Sequence, residues 1–213
     1  MRLARTAALL PALGLALALL PARAGAADVI FWPSGSRPPM DISLVPAVFD
    51  QVPITMAVIK GAGLQIQTSS SGDWGRMSPT SDGCSITFQN LTNTELHLSF
   101  AVFEKSEFLP DLEKATWDRY IAGLRARYSD LLTGLTEGGT MDGSHGVFIF
   151  GRPYREVVYS WREAPNEPEQ ARRELFLTVS GKLFVVVVEG NPEAMQRLQR
   201  GVDRFLSRLE LEE

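Results

Sequence analysis

The side chains best suited to chemistry stand together in one glycine-rich segment, Asp142-Gly143-Ser144-His145-Gly146. Aspartate, serine and histidine are the residue types of a hydrolytic triad, in which a base takes the proton of the nucleophile and a third group orients the base. Neighbours in one loop rarely reach that geometry, and no G-x-S-x-G turn surrounds Ser144. We therefore predict no catalytic residue, and a small hydrolase that uses the Asp142–His145 loop is the alternative interpretation.

Metal and cofactor sites are not predicted. Zinc requires three or four Cys, His or carboxylate ligands, and the chain has two distant histidines, His97 and His145. No Asp-rich calcium loop with regular spacing occurs, and Asp82 and Asp142 are typical of turns. Gly61-Ala62-Gly63 lacks the Lys-Ser/Thr of a phosphate loop and the third glycine of a dinucleotide fingerprint, so it predicts a turn. We expect neither a metal nor a cofactor.

The other polar candidates have plainer interpretations. His97 is expected on the exposed, polar side of its strand, beside Glu95 and Ser99. Arg125 and Arg127, like Arg172-Arg173, could receive a carboxylate or phosphate. A solvated helix face and an edge strand are the favoured explanations of the two arginine pairs.

Cys84, Trp32 and Trp74 raise the question of reactive or partner-binding positions. Cys84 is the only cysteine, so no internal disulfide can form. It shares a period-two face with Ile86 and Phe88, which predicts a small buried core residue. Aromatic side chains are common at partner surfaces, but core packing of the N-terminal segment is the favoured interpretation of both tryptophans.

The first 26 residues have the layout of an export signal. A basic head, Met1–Arg5, precedes an apolar run, Thr6–Leu20, and small residues end at Ala24 and Ala26. The run is shorter than the roughly 20 residues that span a bilayer. We expect residues 1–26 to be a signal peptide cleaved after Ala26, with Ala24 as the other site. The mature protein is then periplasmic or extracellular, without stable membrane insertion, and no cysteine is available there for lipid attachment.

Composition narrows the class of partner. Loss of Arg2, Arg5 and Arg23 leaves 18 of the 21 basic residues against 25 acidic ones, a net charge of −7 on 187 residues. That length suits one domain with a substantial core. The negative balance argues against nucleic acid and anionic membranes as partners.

The elements divide the mature chain in two. Residues 27–53 are rich in proline and are expected to form an extended segment that lies across the domain, with at most a short edge strand. Residues 54–213 are expected to form a single α+β domain. Hydrophobic periodicity predicts hairpins, a long helix beginning near Pro110 and ending at Gly134, further strands, and a final helix capped by Asn191. A mostly antiparallel sheet packed with two main helices is an α+β sandwich.

Apolar residues that recur at three and four positions predict one buried stripe on the first helix: Trp117, Tyr120, Ile121, Leu124, Tyr128, Leu131 and Leu132. Leu96, Leu98, Phe100 and Val102 alternate with polar or small residues and predict a half-buried strand. Gly181-Lys182 predicts a two-residue turn, and Leu183–Val188 is apolar throughout, which predicts a central strand covered on both faces.

Two stretches carry a family resemblance. Glu174–Glu210, ELFLTVSGKLFVVVVEGNPEAMQRLQRGVDRFLSRLE, resembles the closing hairpin and helix of the PsbP-like and DcrB-like families. Leu96–Leu124, LHLSFAVFEKSEFLPDLEKATWDRYIAGL, is similar to their strand-to-helix crossing. The resemblance implies a PsbP-like α/β/α sandwich and a non-enzymatic exported module that assists assembly or binds partners. It transfers no active-site residue, and the proline-rich opening differs from the usual start of these families.

The functional expectation follows from these observations together. We expect an exported, non-catalytic binding or assembly module of the cell envelope, with a protein partner and no nucleic-acid partner. The alternative is a small secreted hydrolase that uses the Asp142–His145 loop.

Overall fold

A seven-stranded antiparallel sheet forms the centre of the structure. The computed structural model describes residues 35–36, 41–61, 64–69, 74, 76–79, 85–106, 113–139, 149 and 151–212. The strands are β1 (Gly35–Ser36), β2 (Asp41–Phe49), β3 (Val52–Gly61), β4 (Leu64–Ser69), β5 (Arg76–Pro79), β6 (Ser85–Gln89), β7 (His97–Phe103), β8 (Lys105–Ser106), β9 (Leu132–Gly139), β10 (Tyr154–Trp161), β11 (Gln170–Val179), β12 (Lys182–Gly190) and β13 (Glu210–Glu212).

The strand order of the central sheet is β5-β6-β7-β12-β11-β10-β9. A second, four-stranded sheet has the order β13-β4-β3-β2, and β1 pairs with β8.

One face of the central sheet is covered by helix α1 (Lys114–Tyr128). Its predicted stripe is confirmed within the helix, because Trp117, Tyr120, Ile121 and Leu124 are buried at helical spacing. Leu131 and Leu132, also predicted in the stripe, lie beyond the end of the helix. They pack against residues that alternate along the strands of the sheet. The strand residues of this cluster are Ala101, Phe103, Val157, Tyr159, Trp161, Phe176, Leu183, Val185 and Val187.

The opposite face is covered by helix α2 (Pro192–Leu206) and by the four-stranded sheet. The predicted start of α2 is confirmed, since the Asn191 side chain accepts a 2.7 Å hydrogen bond from the backbone of Ala194 and Pro192 opens the first turn. Phe205 lies beside Phe88 and Trp74, with ring centroids 5.3 and 5.7 Å away. From the second sheet, Ala57 and Ile59 enter the same core.

The α+β fold class is thereby confirmed as two antiparallel sheets packed with two main helices. The central strand is also as predicted: β12 is the fourth of seven strands, and residues 183–188 are buried on both faces. In the part of the chain that the structure describes, no helix has the length and apolar character needed to cross a membrane.

The predicted end of the first helix, at Gly134, is wrong. The helix does not continue to Gly134: a 3-10 turn at Ser129–Leu131 ends it, and β9 follows directly as an edge strand paired with β10. Gly139 closes this strand with φ of +111°, where a Cβ would lie 2.4 Å from the carbonyl oxygen of Tyr154. Pairing with β10 overrides the weak strand propensity of a segment that contains three glycines.

Two smaller corrections concern β6, β7 and the β11–β12 turn. Strand β7 is not half-buried, because Ser99 is as fully enclosed as its apolar neighbours and shares a 2.8 Å hydrogen bond with Thr87 on β6. Helix α1 covers the face that alternation assigned to solvent. The turn between β11 and β12 is Ser180-Gly181, with φ of +47° and +72°, one residue earlier than predicted.

The proline-rich segment contributes a long strand rather than a short one. Strand β2 has nine residues and forms a hairpin with β3 through Asp50-Gln51, whose φ values of +46° and +66° match a type I′ turn. Val45 and Val48 are exposed, while Ile42 of the same strand packs against the core. The predicted hairpin around Gly61-Ala62-Gly63 is confirmed by the pairing of β3 with β4.

Candidate functional site

The residues of the alternative, hydrolytic interpretation lie outside the described residues. Asp142, Ser144 and His145 are not among the residues that the structure describes, and neither are Cys84, Trp32 and Asp82. His97 is described and is half-buried rather than exposed, directly opposite Glu189 in the pairing of β7 with β12. Burial lowers the pKa of His97, against the raising influence of Glu189.

A buried polar network lies between α1 and the central sheet. Arg172 on β11 forms ion pairs with Glu174, at 2.8 Å, and with Glu189, at 3.2 Å. The hydroxyl of Tyr120 donates a hydrogen bond to Glu174, and the hydroxyl of Tyr159 donates a second one of 3.0 Å. The carboxylate of Glu174 thus accepts two hydrogen bonds and faces the guanidinium group of Arg172 as an ion pair.

Burial governs the titration of this network. It raises the pKa of Glu174, and Arg172 and the two tyrosine hydroxyls oppose that rise. It raises the pKa of Tyr120 and Tyr159 as well, and the charge of Glu174 adds to the increase. For Arg172, burial works against the charged form, but Glu174 and the neighbouring groups raise its pKa overall.

The network has a structural role in this arrangement. All four side chains, those of Tyr120, Tyr159, Arg172 and Glu174, are buried between helix and sheet. A general acid or base must be within reach of a substrate, and these groups are enclosed by core side chains such as Phe176. Their mutual pairing satisfies charges that would otherwise be costly to bury.

A second polar network lies on the opposite face of the central sheet and is centred on Arg173, the residue after Arg172. Arg173 donates to Oε2 of Glu156 from Nε and Nη2, at 3.0 and 2.8 Å, and to Asp203 on α2 from Nη1, at 2.6 Å. The prediction of an edge strand for Arg172-Arg173 is therefore wrong. Strand β11 lies inside the sheet, and its alternation sends the two guanidinium groups to opposite faces, each toward internal carboxylates.

A cavity of about 310 Å³ adjoins the Arg173 network. It lies between helix α2 and strands β9–β12, and we call it the α2 groove. Val158, Ala171, Val188, Met195 and Val202 form its apolar lining, and Arg173 and Glu156 are among its polar residues.

The outer half of the β2–β3 hairpin carries three of the five large hydrophobic side chains that are exposed among the described residues. Strand β4 pairs with β3 only from Met56 inward, so no third strand among the described residues pairs with residues 45–53; we call them the hairpin tip. Val45, Val48 and Val52 are 43%, 72% and 59% exposed. Val48 continues the face that buries Ala57, whereas Val45 and Val52 lie on the other face. The tip is therefore apolar on both sides.

A proline lies on each edge of the hairpin tip. The closing pair Phe49–Val52 is hydrogen-bonded in a two-residue hairpin, and pairs alternate outward from it. Pro53, opposite Val48, and Pro46, opposite Thr55, fall at positions whose nitrogens point away from the partner strand. The tip thus presents side chains to a partner, and each proline removes one outward donor, which disfavours strand addition at either edge.

The remaining predicted positions have ordinary surroundings. Arg125 and Arg127 are exposed in the last turn of α1, as expected of a solvated helix face. Trp74 is 2% exposed and belongs to the core. Within the described ranges, no three His, Cys, Asp or Glu side chains gather into a group able to hold a metal ion.

Sequence reasoning missed the network partners and the groove. Glu174 follows Arg173 and precedes the apolar residues Leu175–Leu177, and a carboxylate two positions after an arginine on one strand is a signal of an ion pair on one face. The groove had no comparable signal, because its walls come from four strands and one helix.

The described elements define an α+β sandwich, and comparison with solved structures agrees at the level of fold. Cyanobacterial PsbP from Synechocystis has a TM-score of 0.42 at 16% identity, over 80% of this chain and 93% of that chain. LpqN, involved in cell envelope biogenesis of Mycobacterium tuberculosis, has a TM-score of 0.41 at 13% identity, over 81% and 92%. PA94, a Pseudomonas aeruginosa protein of unknown function, has a TM-score of 0.39 at 8% identity, over 78% and 94%.

These likenesses are low in score and identity, and they concern the fold alone. The predicted resemblance to the PsbP-like fold is confirmed at that level, and the resemblance to DcrB-like proteins stays a prediction. The chain matches no family model, and no curated protein matches its sequence.

Proposed function

We propose that the protein is an exported, non-catalytic binding module of the cell envelope that inserts its hairpin tip into an apolar cleft of a partner protein. The observation that carries the proposal is the exposure of Val45, Val48 and Val52 on both faces of the tip. Exposed apolar surface of this kind is a common feature of interaction sites. Export rests on the N-terminal layout of residues 1–26.

The chemistry of the tip favours insertion into a protein cleft over other modes of binding. The side chains on both faces of the hairpin tip can be buried together only where the partner encloses the tip. Strand addition is disfavoured because Pro46 and Pro53 remove outward donors at the two edges. Asp50 at the turn is exposed, and it favours a cleft with a basic rim.

A lipid surface suits the hairpin tip less well than a protein cleft does. No lysine or arginine occurs between Asp41 and Ile59, and the mature chain has an excess of acidic residues. Peripheral binding to anionic membranes usually relies on clustered basic residues. The tip has the apolar side chains for insertion but lacks that electrostatic attraction.

The test compares one substitution in the tip with a matched one elsewhere. Mature protein, its Val48→Asp variant and a Leu91→Asp variant are immobilised and exposed to envelope extract, and the partner retained by the unmodified protein is identified, purified and titrated. Leu91 is an exposed apolar residue, at 57%, in the turn before β7. We expect Val48→Asp to weaken affinity for the purified partner by about 30-fold or more, as for a central interface residue, and Leu91→Asp to leave it unchanged.

Three outcomes would contradict the proposal. Equal weakening by both variants would mean that the tip has no special role. Flotation of the mature protein with anionic vesicles, abolished by Val48→Asp, would assign the tip to a membrane. A concentration-dependent dimer lost in Val48→Asp would assign it to a second copy of the chain.

A further inference from the structure

The α2 groove exists because the helix covers only part of its sheet face. Helix α2 packs over β11 and β12, while β10 and the edge strand β9 extend past it. On the uncovered side, Gly134 and Thr136 of β9 and Ser160 of β10 are small residues that leave the space open. The resulting cavity of about 310 Å³ falls at the lower end of the range of small-ligand sites.

The inner part of the groove is apolar and rigid. Ala171, Val188 and Val202 line it, and they are 4%, 1% and 2% exposed, so they belong to the packed core. Val158 and Met195 are partly buried and complete the apolar surface. A methionine side chain adapts to the shape of its contacts, which suits it to cover an alkyl chain.

The polar end of the groove has an excess of negative charge. Arg173 is the only cation of its network, and it faces two carboxylates, Glu156 and Asp203. Both Glu156 bonds from Arg173 go to Oε2, so Arg173 leaves Oε1 to accept from another donor. Gly138, on the neighbouring strand, carries no side chain over Oε1. An anionic ligand would have to displace a carboxylate from Arg173, whereas a cation meets complementary charge.

We propose that the α2 groove binds a primary amine attached to an apolar chain, with the chain on Val158, Ala171 and Met195 and the ammonium group donating to Glu156. The same chemistry is offered by a free alkylamine and by the lysine of an apolar peptide. This inference is independent of the hairpin tip, which lies on the four-stranded sheet.

The test uses three probes of equal length: n-hexylamine, 1-hexanol and hexanoate. Each is titrated into uniformly ¹⁵N-labelled mature protein at pH 7, and backbone amide shifts are followed by NMR. We expect saturable shifts at Val158, Ala171 and Gln199, with the amine bound about tenfold more tightly than the alcohol, as for a hydrogen bond to a charged group. Hexanoate should bind more weakly than the alcohol. A peptide with one lysine between leucines serves as the other source of the ammonium group.

Variants separate the polar and apolar contributions. Glu156→Gln should remove the tenfold preference for the amine. The matched control is Glu137→Gln, which should preserve it, because the Glu137 carboxylate accepts a hydrogen bond from Trp117 on the other face of the sheet. Thr136→Phe, an exposed position of the edge strand, should occlude the groove and weaken all three probes at least tenfold. Because Glu156→Gln can affect folding through Arg173, its thermal unfolding is measured alongside, and Thr136→Phe decides the matter if the first variant does not fold.

The proposal is overturned by any of three results. Hexanoate that binds as tightly as hexylamine would show that the charge of the groove does not select a cation. Saturable shifts confined to residues outside the groove would place the ligand elsewhere. Unchanged amine binding in Thr136→Phe would do the same. Val48→Ser should leave hexylamine binding unaltered, so failure here and failure of the partner proposal are distinguishable.

Discussion

Arg172 and Glu174, two residues apart on β11, form a 2.8 Å ion pair beneath helix α1, with side chains only 6% and 1% exposed. Tyr120 connects the pair to the helix, Tyr159 to the next strand, and Glu189 to the central strand β12. The buried Arg172–Glu174 pair therefore links four elements of the fold: α1, β10, β11 and β12. Removal of one partner of such a cluster leaves a buried charge without full compensation, which is more damaging than loss of an exposed pair.

The first prediction is that Glu174→Gln destabilises the protein by about 3–5 kcal/mol, because Arg172 then loses the closer of the two carboxylates described beside it. Tyr120→Phe should have a smaller effect of about 1.5–3 kcal/mol, the usual range for a hydrogen bond to a charged group. Denaturant unfolding of the mature protein measures both. Asp118→Ala, which breaks the exposed Lys114–Asp118 pair, is the matched control, with an expected change within about 0.5 kcal/mol. Equal losses for Glu174→Gln and Asp118→Ala would show that the buried network contributes nothing special.

The second prediction concerns acid stability. Burial lowers the pKa of His97 despite the nearby Glu189. The unfolded chain therefore takes up the proton first, so the stability associated with neutral His97 is complete above about pH 6.5 and is lost as the pH falls through the folded-state pKa. We expect the free energy of unfolding to decrease from pH 7 to pH 5, with part of that decrease absent in His97→Gln. Urea titrations at several pH values test this, and parallel pH profiles for the two proteins would refute it.

The third prediction contrasts two glycines. Gly139→Ala places a Cβ 2.4 Å from the carbonyl oxygen of Tyr154 at φ of +111°, so it should destabilise the protein by at least about 1–3 kcal/mol. Gly123→Ala, in helix α1, meets no atom within 4 Å and should stabilise it by about 0.5–1 kcal/mol through helix propensity. Thermal unfolding of the two variants gives the comparison. Stabilisation by Gly139→Ala would mean that β9 does not close against β10 as described.

The fourth prediction concerns export. Cleavage after Ala26 gives a mature chain that begins at Ala27. N-terminal sequencing of the protein from the envelope or medium of expressing cells should give Ala-Asp-Val, and replacement of both Ala24 and Ala26 by arginine should leave the precursor uncleaved. A mature protein that keeps Met1 or Arg2 would contradict cleavage.

Local patterns predicted the elements whose two faces differ. The apolar stripe of α1 and the Asn191-Pro192 start of α2 followed from periodicity and capping. Strand β9 was missed because it depends on pairing with β10, a tertiary effect that its glycine-rich sequence does not indicate.

The polar residues were harder to place than the apolar ones. Arg172-Arg173 has the composition of an exposed segment, and its burial depends on carboxylates from other elements, among them Asp203 of α2. The exposure of Val48 was likewise hidden, because an apolar residue in a strand is by default expected inside. Charge pairing and exposed apolar surface both depend on which elements meet, and that information is not local.

The central claim is that the hairpin tip contacts a partner protein. It is tested most directly by site-specific photo-cross-linking in cells, with a photoreactive phenylalanine at position 48 in one variant and at position 91 in another. Both positions are exposed apolar residues, at 72% and 57%. The account predicts one discrete cross-linked protein from position 48 and none from position 91. Absence of a cross-link at position 48, or the same product from both positions, would contradict it.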